Sequence, residues 1–188
     1  MTNTDVGAQT ILTIGHGGRS VEDLLDLLEQ HRRRFVIDVR SSPYSRYAPE
    51  FSKAPLQRRL QEAGFVYVFM GDTLGGRPED PAAYDAEGHV DYHALQSLPF
   101  FQEGLTRLIR ASNEAHAVIL LCSELLPERC HRSKLIGEAL SARDVPVQHL
   151  GRDGVLLDHA DVMRVLEGDQ LSLLPDDSHK RSRISYRE

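Results

Sequence analysis

The feature that most constrains this chain is an alternation. Short apolar runs of strand length take turns with longer stretches whose apolar residues recur at helical spacing. Ile11–Ile14 reads as a buried strand that breaks at Gly15-His16-Gly17-Gly18. Ser20 then offers an N-cap with Asp23 as capping-box partner, and Val21, Leu24, Leu25, Leu27 and Leu28 follow at helical spacing. Phe35–Val39 is a second strand, and its end carries Asp38-Val39-Arg40. The segment SKAPLQRRLQEAG reads as a helix capped at Ser52 and stopped at Gly64. Phe65–Met70 is a third strand, followed by a long Gly- and Pro-rich loop. His93–Ser112 is a helix with Pro99 as its point of interruption. AVILLC (117–122) is the clearest buried strand, Pro127–Leu140 a helix and Val145–Leu150 a fifth strand. Gly154–Leu157 adds a short hairpin or edge strand, and Asp161–Leu166 a last short helix.

About five strand–helix cycles with no internal repeat imply an α/β fold. The expected architecture is a mostly parallel open sheet of about five strands with helices on both faces, a Rossmann-like three-layer arrangement. A length of 188 residues suits one domain. We expect that domain over 11–168, a flexible lead over 1–10 and a polar, disordered tail over 169–188. No stretch approaches the roughly 20 apolar residues of a membrane helix. The start, MTNTDVGAQT, has no cationic end before an apolar run, so a cytoplasmic location is the expectation. Two cysteines do not make a disulfide scaffold. The net charge of −6 argues against a general nucleic-acid coat, while leaving room for a local basic pocket.

In an open parallel sheet, ligands bind beyond the carboxyl ends of the strands, and the unusual polar residues stand there. His16 follows strand one. Asp38 and Arg40 end strand two. Gly75-Gly76-Arg77 lies past strand three. Cys122 and Glu124 end strand four, and Cys130-His131-Arg132 opens the next helix. His149 closes strand five. Far apart in the chain, these residues are expected to converge in one cleft.

The segments TIGHGG, DVRSSPYSRYAPEF, LQRRLQEAGFVYVFMGDTLGGRP and LLCSELLPERCHRSKL, in that order, resemble the family called domain of unknown function 488. The resemblance runs from about Thr13 to His149. Its most specific part is the last segment, with Cys122, Glu124, Cys130, His131 and Arg132. Gly17 departs from the serine the resemblance implies, which removes a hydroxyl there. The family name carries no reaction with it, so the resemblance implies a fold and a site rather than a chemistry.

Residue chemistry leaves several readings open. Cys122, at a strand end before a helix start, suits a nucleophile or simply a buried small residue. Glu124 suits a general acid or base if burial raises its pKa. His16 and His131 suit proton transfer or ligand orientation. Asp38, Arg40, Gly75, Gly76, Cys130 and Arg132 suit ligand binding, with Arg132 able to fork onto a phosphate or to serve in a structural ion pair. The leading expectation is a hydrolase or group transferase acting on an anionic, phosphate-bearing small molecule, such as a nucleotide or a nucleic-acid end. A non-catalytic sensor using the same pocket is the second reading. A third is a metal protein drawing on Cys122, Cys130, His131, His16 and His149. A Cys122–Cys130 disulfide in a redox cycle would need Cα atoms within about 7 Å. GHGGRS lacks the dinucleotide fingerprint GxGxxG, so that turn does not mark a dinucleotide site, and the sequence leaves the cofactor open.

Overall fold

The computed structural model describes residues 8–168 and 180–186. Six strands form one sheet. In chain order they are β1 (Ile11–Gly15), β2 (Phe35–Asp38), β3 (Val66–Phe69), β4 (Val118–Cys122), β5 (Val147–Leu150) and β6 (Leu156–Asp158). Their spatial order is β3-β2-β4-β1-β5-β6, and every pairing is parallel except β5–β6. The expectation of about five strands thus gains a short antiparallel edge, where the 154–157 hairpin was placed. The main helices are α1 (Val21–Gln30), α2 (Lys53–Glu62), α3 (Gly71–Leu74), α4 (Tyr92–Ser97) and α5 (Pro99–Asn113), then α6 (Glu138–Ser141) and α7 (His159–Gly168). None of the described helices is long and apolar enough to cross a membrane.

Local signals explain the boundaries. The Ser20–Asp23 capping box forms as expected, each side chain bonded to the other's backbone N–H. Pro99 splits the expected 93–112 helix into α4 and α5, because proline suits a first helical position and lacks the N–H an interior one needs. Ser52 does precede α2, but its hydroxyl accepts from Ser45 N instead of capping the helix.

Strand parity divides the core in two. Ile11, Ile37, Val118, Leu120 and Val147 pack on one face with α4, α5 and the helix after Cys130. Leu12, Ile14, Val36, Ile119 and Leu121 pack on the other with α1 and α2. The chain leaves β1 across β4 to reach β2, and leaves β4 across β1 to reach β5. The carboxyl ends of β1 and β4 therefore flank the topological switch point, where open α/β sheets bind ligands.

The described ends depart from the expected lead and tail. Gln9 N donates to Ser112 O, and the Ser112 hydroxyl donates back to Gln9 O. Arg181 bridges Asp91, Ser182 is buried and pairs with Val90, and Tyr186 N donates to Gly88 O. The 180–186 stretch is thus a strap docked on 88–91, although its composition reads as solvated. Residues 1–7, 169–179 and 187–188 lie outside the described residues.

Candidate active site

The site begins with how Cys122 and Cys130 come together. Cys122 is the last residue of β4 and points to the face that carries Val118 and Leu120. A loop with one 3-10 turn, Pro127–Arg129, brings the chain back to Cys130. Cys130 is extended, so the expected 127–140 helix is interrupted there and restarts at His131. Its first turns, Arg132–Gly137, are π-helical and run directly into α6. Such wide turns recur at functional sites. The two sulfurs end 3.2 Å apart, and each lies 3.7 Å from His131 Nδ1. Both thiols are buried and His131 is half-buried.

Two devices hold this return loop. A Cβ on Gly15 would come within 1.9 Å of the Glu124 carbonyl oxygen, so only glycine lets the loop close over β1. From beneath, the fully buried Arg132 donates through Nη1 to Glu124 O, through Nη2 to Leu125 O at 2.9 Å and through Nε to Thr13 Oγ1 at 3.2 Å. Arg132 therefore directs these donors to the protein itself and does not line the cleft, in place of either the phosphate contact or the ion pair that the sequence left open. Its partners are backbone carbonyls, because a buried guanidinium must satisfy its donors and the loop supplies unpaired acceptors. It forms no ion pair with a described carboxylate. The hydrogen bond from Cys130 first, then the neighbouring His131 ring and the Arg132 charge, hold the Cys122 thiol well below the ordinary value. Burial pushes the Cys130 thiol up.

Only part of the set expected to converge lines one cleft. A cavity of about 330 Å³ is lined by Arg40, Gly76, Cys122, Glu124, Cys130 and His131 among the residues singled out from sequence. His16, Asp38, Gly75 and Arg132 do not line it. Asp38 and Arg40 share the α1–α2 face and form a buried fork, Arg40 Nε to Asp38 Oδ1 at 2.8 Å and Nη2 to Oδ2 at 2.6 Å. Tyr67 donates its hydroxyl to the same carboxylate at 2.7 Å. Arg40 Nη1 lies 2.8 Å from Phe51 O, to which it donates, and 3.2 Å from His16 Nε2. His16 stacks on Phe51 at 4.2 Å. Burial first, and the Arg40 charge next, lower its pKa to about 4, so it is neutral at pH 7 and unsuited to donating a proton there.

Three further expectations need correction. Glu124 is about one-third exposed, with its carboxylate bonded to Leu126 N and Arg183 Nη2, so it lacks the burial expected to tune it as a general base. At Gly75-Gly76-Arg77, expected as an anion cradle, the Arg77 amide donates to Ser41 Oγ at 2.9 Å. A Cβ on Gly75 would meet Gly71 O at 2.2 Å, and one on Gly76 would meet the His131 ring at 2.7 Å, so the pair is there for close packing. His149 stands apart from the cysteines in a chain of its own. Its Nδ1 lies 2.7 Å from Thr13 Oγ1 and its Nε2 2.9 Å from His159 Nδ1, while His159 Nε2 lies 2.8 Å from Glu138 Oε1. Since Arg132 donates to Thr13, the consistent direction is Thr13 O–H to His149, His149 N–H to His159, and His159 N–H to Glu138.

The structure also adds residues that sequence reasoning passed over. Tyr92, Ser123, Ser182, Arg183, Ile184 and Tyr186 line the cleft. The one available signal for the strap was the basic run HKRSRISYR. Thr13 and Tyr67 orient Arg132 and Asp38. For Thr13 the signal was a hydroxyl within the otherwise apolar strand ILTIG.

Neither a curated protein nor a solved structure matches this chain. A protein-family model does match. It covers residues 20–139, a stretch that contains β2, the Asp38–Arg40 fork, Cys122 and the Cys130-His131-Arg132 turn. With more than half of its length inside that match, the chain belongs to the family described as domain of unknown function DUF488.

Proposed function

We propose that the protein is an enzyme, a hydrolase or group transferase, that takes an anionic, phosphate-bearing small molecule into the cleft over Cys122, Cys130 and His131. The observation that carries this reading is the cleft's charge. The chain has a net charge of −6, yet Arg40, Arg77, Arg129 and Arg183 line this one cavity against a single carboxylate, Glu124. Asp38 balances Arg40 and Glu124 pairs with Arg183. Arg77 lies over the Tyr186 ring at 4.6 Å, and neither it nor Arg129 is ion-paired with a described carboxylate. Guanidinium groups offer planar, paired donors that match phosphate oxygens. A cavity of about 330 Å³ sits at the small end of ligand clefts, roughly 300–1,000 Å³. The thiol pair and His131 supply the reaction centre at its floor, and Arg77, Arg129 and Arg183 hold the anion at its mouth.

The test is turnover against a panel of nucleotides and phosphate esters. Arg77→Ala and Arg129→Ala are expected to raise KM about tenfold each, as loss of a charged hydrogen bond implies. Cys130→Ala is expected to abolish kcat. Calorimetric binding of a panel member with no product at any pH would make the protein a binding module instead. An unchanged KM in the Arg77→Ala, Arg129→Ala double variant would remove the anion from the cleft.

A further inference from the structure

We propose that Cys122, Cys130 and His131 form a zinc site with its fourth coordination position open to the cleft. The proposal rests on that cleft being the functional one and deepens the reading above by naming what occupies its floor.

The geometry points to a metal because the three donor atoms already stand at the corners of a tetrahedral face. With Zn–S near 2.3 Å and Zn–N near 2.0–2.1 Å, tetrahedral corners lie about 3.8 Å apart for two sulfurs and about 3.6 Å for sulfur and nitrogen. The observed separations are 3.2 Å between the sulfurs and 3.7 Å from each sulfur to His131 Nδ1. Opening the sulfurs by about half an ångström completes the face. No other His, Cys, Asp or Glu among the described residues joins this group, which leaves one corner without a protein ligand. All three ligating residues line the cleft, so that corner is within reach of water or a substrate oxygen.

The surroundings fit the same role. His131 Nε2 lies 3.2 Å from Val39 O, a carbonyl that can only accept. Nε2 therefore carries the proton, and the Nδ1 lone pair faces the sulfurs. This is the outer-shell arrangement that orients metal-bound histidines. Cys130 Sγ accepts the Arg132 amide at 3.5 Å, a bond suited to a sulfur carrying negative charge. Gly76 packs against the back of the His131 ring and limits its rotation. Two thiolates and an imidazole are a donor set of zinc's preferred softness, and three protein ligands with an open position mark catalytic rather than structural zinc. Bound there, zinc supplies a Lewis acid and an acidified water beside the anion held by the arginines.

A disulfide is the competing state of the same sulfurs. At 3.2 Å they are well beyond the roughly 2.05 Å bond length, and a bond between them would leave the orientation of His131 unexplained.

The experiment is metal analysis of the full-length chain purified without chelator, followed by cobalt(II) titration of protein stripped of metal. The expected result is about one zinc per chain, falling below a tenth of that in Cys130→Ser and in His131→Ala. Cobalt should give intense tetrahedral visible bands and a thiolate-to-cobalt charge-transfer band, both lost in His131→Ala. Half-buried His131 can be truncated without opening the core, so that variant remains informative if a cysteine variant fails to fold. Wild-type protein that takes up neither zinc nor cobalt while both thiols titrate freely overturns the site. So does a native mass two hydrogens light with no bound metal. No substrate is needed. A zinc-loaded protein without turnover sinks the enzymatic reading and keeps the site, and metal-free turnover does the reverse.

Discussion

Arg132 Nε donates to Thr13 Oγ1 at 3.2 Å, tying the helix after Cys130 to the centre of β1. Around this bond the same guanidinium takes the Glu124 and Leu125 carbonyls, so one side chain sets the path of the loop between the two cysteines. Lysine carries the charge but cannot reach three acceptors in one plane. Arg132→Lys should therefore destabilise the fold by about 2–4 kcal/mol. Urea unfolding measures this, and a change under about 0.5 kcal/mol would mean the loop does not depend on the clamp.

The Asp38–Arg40 fork is a buried ion pair whose third member is Tyr67. Asp38→Asn leaves the Arg40 charge without its partner in the core, at a cost of about 3–5 kcal/mol. Tyr67→Phe removes one donor and should cost about 1 kcal/mol. Thermal unfolding of both variants, with Asp38→Asn far the worse, checks the order.

Gly76→Ala tests the packing of His131. The added methyl would lie 2.7 Å from the ring's Cγ and must push the imidazole outward. Since His131 is half-buried and can yield, stability should change by about 1 kcal/mol or less, while cobalt affinity falls at least about tenfold. Unaltered affinity in a folded variant would show that the ring's position is immaterial.

Acid should destabilise the protein before its carboxylates titrate. Burial, then the Arg40 charge, lowers His16 to about 4. Burial, then the neighbouring His159 ring and the Arg132 charge, lowers His149 to about 3. Above about pH 6.5 both are neutral in the folded and unfolded chain, and neither affects stability. Below it, the unfolded chain binds protons that the native state refuses. Stability falls with pH by roughly 1.4 kcal/mol per unit for each histidine, until pH reaches the folded values. Urea midpoints between about pH 6.5 and 5 should show this slope, halved in His149→Gln. A flat profile over that window would show that both rings are protonated in place.

The layering was legible in the sequence because it follows from local periodicity. AVILLC could only be an interior strand, Ser20 and Asp23 announced α1, and Pro99 marked where one helix would become two. The placing of Cys122, Cys130 and His131 at one rim also followed, since each stands where a strand ends or a helix begins. What each polar group touches was not legible. Asp38 and Cys122 both end strands, yet strand pairing turns one side chain to the α1–α2 face and the other to the cleft. Arg132 suited a phosphate or a structural ion pair equally, and only the closeness of Thr13, Glu124 and Leu125 in space shows it bound to one hydroxyl and two backbone carbonyls. The 180–186 strap had no pattern of its own, because the segment it docks on, 88–91, is almost a hundred residues away. Composition and spacing act over a few residues and set the elements. The partner of a buried charge is chosen by whatever acceptor the finished fold brings within about 3 Å, and that distance is settled only when the sheet has closed.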